Sequence, residues 1–140
     1  MATRVNVQGF VYCNHPTLQI LVLKRTPQRG GYWQPVCGGV ENGEAHTEAV
    51  LREIAEETGI TLIKLLTDLN YTFSYRETKN GVLMDMQDYC YAAEIEHPVD
   101  IKLSGEHEAY QWLSYAEAQE CLTWEHNLIA LERLMQLLRD

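Results

Sequence analysis

The stretch Gly38-Gly39-Val40-Glu41-Asn42-Gly43-Glu44, followed after seven residues by Arg52-Glu53-Ile54-Ala55-Glu56-Glu57-Thr58-Gly59-Ile60, decides how this chain is read. It sets three carboxylates on one helix beside a glycine-rich turn. Glu53, Glu56 and Glu57 stand in an i, i+3, i+4 relation, so at roughly 100° per residue they leave an α-helix from one side, close together. Like charges gathered in this way repel. A shared divalent cation reverses that energetics, and hard oxygen ligands suit magnesium, calcium or manganese better than zinc. The alternative is a solvated acidic face with no chemistry attached. The helix is predicted to begin near Ala45 to Thr47 and to stop at Gly59, where glycine supplies a left-handed cap. Val50, Leu51, Ile54 and Thr58 fall roughly opposite the glutamates, predicting one face on a sheet and the other toward metal and solvent.

Upstream, Val5 to Tyr12 and Leu18 to Leu23 are β-prone runs separated by Asn14-His15-Pro16-Thr17, the pattern of a hairpin. A polar loop from Arg25 to Gly31 and a short extended piece, Trp33 to Val36, lead into the glycine pair. Downstream, Leu62 to Leu69 and Tyr71 to Tyr75 read as strands, and Lys79-Asn80-Gly81 as a hairpin turn before the run Val82 to Ile95. Glu108 to Leu113 is one further short strand. Ser114-Tyr115-Ala116-Glu117 has capping-box spacing for a helix to about Leu122. A last helix over about Glu125 to Leu138 carries an apolar stripe of Leu128, Leu131, Leu134, Met135 and Leu138. Strands interleaved with helices imply a mixed sheet between helical layers.

With 140 residues the chain is expected to form one domain with a real core and no second folded unit. A hydrophobic fraction of 46% and a charged fraction of 22% are ordinary for a globular protein. The formal net charge of −9 argues against duplex nucleic acid as a partner, because phosphate neutralisation needs a basic footprint. A small polyanion is repelled too unless cations bridge it to the protein. Cys13, Cys37, Cys90 and Cys121 are scattered, with no C-x-x-C pair, which disfavours a structural zinc site. With no secretory or membrane-spanning segment in view, they read as reduced thiols of a cytoplasmic protein.

Residues Gly38 to Ile60 match the Nudix box (glycine, five residues, Glu, seven residues, Arg-Glu, aliphatic, any, Glu-Glu, any, Gly, aliphatic) at every specified position, and the chain thereby resembles the Nudix hydrolase family. The resemblance implies an α/β fold, the Nudix-type α/β/α sandwich, as a single domain over residues 1–140. It also implies hydrolysis of a diphosphate linkage with Mg2+ as cofactor and Mn2+ as the substitute. Glu56 and Glu57 would be the principal ligands and Glu53 a base or metal-bridging residue. Metal ions make water nucleophilic and neutralise phosphoryl charge, and a carboxylate beside them can take the proton. Arg52 is expected to orient Glu44 or another carboxylate rather than to touch substrate.

Gly38 and Gly39, lacking side chains, let backbone groups approach a phosphate or metal. Arg25, at the end of the second strand, is a candidate phosphate clamp with two parallel donors, and Lys24 the lesser alternative. The segment Glu106-His107-Glu108-Ala109-Tyr110-Gln111-Trp112-Leu113 is similar to one in Nudix enzymes acting on dihydroneopterin triphosphate, other nucleoside triphosphates and dinucleoside polyphosphates. On that resemblance Glu106 adds a fourth metal-binding carboxylate. His107 reads as a structural hydrogen-bonding residue, and Trp33 and Trp112 as core or pocket walls.

The leading functional expectation is a nucleoside triphosphate pyrophosphohydrolase releasing a monophosphate and pyrophosphate, with dATP-like compounds or dihydroneopterin triphosphate as substrates. A dinucleoside polyphosphate hydrolase is the nearest competitor. A nucleotide-binding sensor without turnover is the third. The expected partner is a small nucleotide or nucleotide-like polyphosphate, with no membrane and with a homodimer left open.

Overall fold

A computed structural model describes residues 2–139. The first hairpin forms as expected from strands β1 (Ala2–Cys13) and β2 (Gln19–Arg25), but their antiparallel pairing covers only Tyr12 with Ile20 and Cys13 with Gln19. Beyond those pairs the strands part. β1 runs parallel to β6 (Val82–Glu94) along nearly its whole length and takes β4 (Val36–Gly39) antiparallel against Asn6 to Gly9. β2 pairs instead with the short β3 (Trp33–Gln34) and with β7 (His107–Leu113). The sheet therefore opens between β1 and β2.

Helix α1 (His46–Thr58) follows β4 and lies across the sheet beside this opening. Its ends match the sequence: the Glu48 carboxylate accepts from the Ala45 amide at 2.9 Å, and Gly59 caps the last turn at φ 80°. Helix α2 (Tyr115–Cys121) starts at Ser114 with a complete capping box, and α3 (Glu125–Arg139) follows. Alternation along β1 divides the core. Val7, Val11 and Cys13 pack with Val50 and Ile54 of α1, whereas Phe10 and Tyr12 pack with Ala118, Leu122, Leu131 and Leu134 on the other face. This gives helices on both sides of a mixed sheet, the expected α/β/α sandwich.

The expected pair of strands beyond α1 is a single strand. Leu62 to Leu69 and Tyr71 to Tyr75 are not two strands: β5 (Leu65–Lys79) is continuous, and Leu62 to Lys64 lie outside it. The pairing with β6 slips between Asp68 and Thr72, where Asn70 adopts φ 54° and its amide donates to Asp68 Oδ1 at 2.7 Å. A bulge bends a strand without ending it, so the polar interruption resembled a turn. At the far end Asn80 (φ 51°) and Gly81 (φ 78°) supply the two left-handed residues of a tight hairpin turn.

Candidate functional site

The opening between β1 and β2 is a cleft of about 790 Å³. Among its lining residues are Arg25, Gly38, Gly39, Glu53, Glu56, Glu57 and Glu106. The four candidate metal-binding carboxylates, both glycines and the clamp candidate therefore face one space. Arg52 stands behind them.

The three box glutamates are not equivalent. Val50, Glu53, Ile54 and Glu57 form the i, i+3, i+4, i+7 stripe that α1 turns inward, so Glu53 and Glu57 are 8% and 1% exposed. Glu56 lies off that stripe and is open to solvent. The expectation that all the glutamates occupy the outer face is thus corrected, as is the inward place of Leu51, which is exposed. Burial has a marked effect on Glu57. Neither of its oxygens has a hydrogen-bond partner among the described residues, and desolvation first, then Glu53, Glu106 and Glu56 nearby, push its carboxyl far above the ordinary range.

Arg52 binds the cluster together from behind. Its Nε and Nη2 donate to Glu44 Oε2 and Oε1 at 2.7 and 3.0 Å, its Nη2 also to the Gly39 carbonyl at 2.8 Å, and its Nη1 to Glu53 and Glu56 at 2.9 and 3.3 Å. That is the orienting contact with Glu44 expected from sequence. The bidentate bond holds the Glu44 carboxyl down at about 2. Gly38 has a more specific role than close approach of a phosphate: a Cβ there would fall inside the Glu53 carboxylate.

The donor set fits a divalent cation. Two buried carboxylate oxygens with no partner are a costly arrangement unless a cation or proton satisfies them, and Glu53, Glu56 and Glu106 in the same cleft offer further hard oxygens. Among the described residues no three His, Cys, Asp or Glu side chains are already gathered into an ion cage, because Glu53 and Glu56 are drawn to Arg52 and Glu106 pairs with Arg29 at 3.1 Å. Glu108 faces away from the cleft and pairs with Lys24 at 3.4 Å.

Arg25 stands at the cleft with its guanidinium 5.3 Å from the Tyr32 ring centroid and its Nε without a partner. Arg4, Arg29, Arg76 and Lys79 also line the cleft, a cationic rim on a chain of net charge −9. The sequence reading missed the remaining walls. Tyr32 meets Trp124 edge to face at 5.5 Å, while Phe73 stacks on His126 at 4.1 Å and on Tyr75 at 5.8 Å. Trp33 and Trp112 do not line the cleft and pack against the two cores. Below the rings, Asn6 and Gln8 donate to the two oxygens of Asp88, each at 2.9 Å, and Asn127 donates to Gln8 at 3.0 Å. Asp88 was detectable: it occupies an inward position of β6 between Met86 and Cys90, where a charge is out of place unless it is bonded.

The NUDIX domain family model matches residues 3–134. An octanoyltransferase from Myxococcus xanthus is 31% identical over 110 residues, which is 79% of this chain but only 30% of that protein's length. The asymmetrical bis(5'-nucleosyl)-tetraphosphatase of Rattus norvegicus is 34% identical over 115 residues, covering 76% of this chain and 72% of the rat protein. The structure of the E. coli dihydroneopterin triphosphate pyrophosphohydrolase superposes with a TM-score of 0.78 at 25% identity, over 95% of this chain and 97% of the other. With its glutamate helix, curled mixed sheet and family match over nearly all of its length, this chain belongs to the NUDIX domain family.

Proposed function

We propose that this protein hydrolyses a phosphoric anhydride linkage in a nucleoside triphosphate or a related nucleotide-like polyphosphate, releasing a monophosphate and pyrophosphate. The observation that carries this reading is Glu57, buried with both oxygens unpartnered, in the same cleft as Glu53, Glu56 and Glu106 and beneath a rim of arginines. Glu53, Glu56, Glu57 and Glu106 would hold the divalent cation, with Mg2+ favoured over Mn2+ as the more abundant hard ion. A cation held there supplies polarisation of a phosphoryl oxygen and lowers the pKa of adjacent water. Arg52 keeps Glu44 and Glu53 in place, Arg25 clamps a phosphate, and Gly38 and Gly39 keep the cleft wall low enough for both. Whichever of Glu53, Glu56, Glu57 and Glu106 were left free of the ion would take the proton from water.

The aromatic walls and the amide floor at Asp88 suit the flat, polar-edged heterocycle of a nucleotide or pterin. Four free cysteines agree with a cytoplasmic setting. Among the described residues no helix is long and apolar enough to cross a membrane. A second reading, cleavage of a dinucleoside polyphosphate, is favoured by the number of rings at the cleft and by Trp124, 55% exposed, which leave aromatic surface beyond what one base covers. Reaction in oxygen-18 water over a panel of triphosphates and dinucleoside polyphosphates separates the readings. Monophosphate and pyrophosphate from a triphosphate support the first; orthophosphate and diphosphate as first products overturn it.

A further inference from the structure

We propose that His107 is a positioning residue for Glu57, its imidazole locked by Gln34 in the tautomer whose Nδ1–H faces that carboxylate. The inference rests on the reading of Glu57 as a metal ligand. His107 and Glu57 have side chains each 1% exposed, and His107 Nδ1 stands 3.5 Å from Glu57 Oε1. Neither atom has a hydrogen-bond partner among the described residues. On the other side of the ring, His107 Nε2 is 3.0 Å from Gln34 Nε2.

The tautomer follows from that contact. An amide nitrogen only donates, so His107 Nε2 accepts and the ring hydrogen sits on Nδ1. The orientation of the Gln34 amide has its own support, because Gln34 Oε1 accepts from Arg25 Nη1 at 3.5 Å. Reversing the amide would set a nitrogen against the guanidinium and an oxygen against the imidazole. The four side chains thus form one chain from Arg25 through Gln34 and His107 to Glu57, with β2, β3, β7 and α1 each contributing one member. The phosphate clamp and the deepest carboxylate are its two ends.

The 3.5 Å gap is longer than a formed N–H···O bond, so the proposed contact requires the carboxylate to turn toward Nδ1. With one oxygen held by Nδ1–H, the other is directed into the cleft toward an ion. A buried carboxylate with no such partner would be free to turn, and outer partners of metal ligands commonly set affinity by about ten- to a hundred-fold.

The test combines the nitrogen spectrum with metal affinity. In metal-free protein labelled with 15N at histidine, the signals lost in His107→Phe identify His107. Protonated Nδ1 and bare Nε2 are expected; the reverse tautomer overturns the proposal. By calorimetric titration with Mn2+, His107→Phe should bind about tenfold or more weakly than the native protein. His107→Asn, which keeps a donor nitrogen near the Nδ1 position, should stay within about threefold of it. Equal losses in both variants would make the role one of packing, and native affinity in His107→Phe would remove the role altogether. If the native protein itself binds no Mn2+, the metal reading of Glu57 fails and this proposal falls with it.

Discussion

The carboxylate of Glu53 occupies the space that a side chain at Gly38 would need. Strand β4 and helix α1 pack closely here, so a side chain at that position would have to push the end of the Glu53 side chain aside, next to where the Gly39 carbonyl accepts from Arg52. Gly38→Ala should displace Glu53, lower turnover at least a hundredfold and cost about 1–3 kcal/mol of stability through overpacking. Thermal melts and steady-state rates check this, and native turnover in Gly38→Ala would show that the Glu53 position is not critical.

Metal-free stability should fall as pH rises near neutrality. The Glu57 carboxyl is raised in the fold above its ordinary 4.5, by burial before anything else, so above that value the unfolded chain has released a proton that the native state retains. His107 acts in the other direction at lower pH: burial lowers it to about 4, so the unfolded chain gains a proton below about 6.5 that the fold refuses. Between about pH 7 and 8 the Glu57 effect stands clear of both His107 and the buried thiols. In chelator, the melting temperature should drop across that window. Magnesium should offset the drop, because it binds the ionised carboxylate, and Glu57→Gln should lack the slope.

The register of the β7 loop can be tested by two exchanges. Glu106 lines the cleft, whereas Glu108 pairs with Lys24 on the outside. Glu106→Gln should lower turnover at least tenfold, about 1.4 kcal/mol in barrier, with little change in melting temperature. Glu108→Gln should be silent. The opposite pattern would mean that the loop delivers the other carboxylate.

Trp124 is expected to act on binding rather than on chemistry. Its ring meets Tyr32 at the cleft and is largely exposed, as a stacking surface for a base should be. Trp124→Ala should raise KM about tenfold, in line with base stacking worth about 1–3 kcal/mol, and leave kcat nearly unchanged. A fall in kcat alone would count against this placement.

What could be read in the sequence and what could not divide by the range of the interactions. The α1 boundaries, the Asn80-Gly81 turn and the Ser114 cap depend on residues within a few positions of one another, and each stands where its local pattern put it. The cleft depends on β1 leaving β2 to run beside β6, about eighty positions away in sequence, for which no local pattern speaks. Trp124, Tyr32 and Tyr75 went unnoticed for that reason. The box supplied the identity of its glutamates but not their unequal burial, which arises because Glu53 and Glu57 share the inward stripe with Val50 and Ile54. Asp88 and its amide partners could have been suspected from one charge at an inward strand position, although Asn6, Gln8 and Asn127 could not have been joined to it without the fold.

The proposed function stands on the carboxylates of α1 holding a catalytic cation. Replacing Glu56 or Glu57 by glutamine removes a charged ligand while keeping its size, so turnover of a nucleoside triphosphate at limiting magnesium is the direct measurement. We expect both variants to lose most metal-dependent hydrolysis with folds intact by circular dichroism. Near-native turnover in both, at magnesium concentrations below saturation, would contradict the account and leave the glutamates as ordinary acidic residues of the helix.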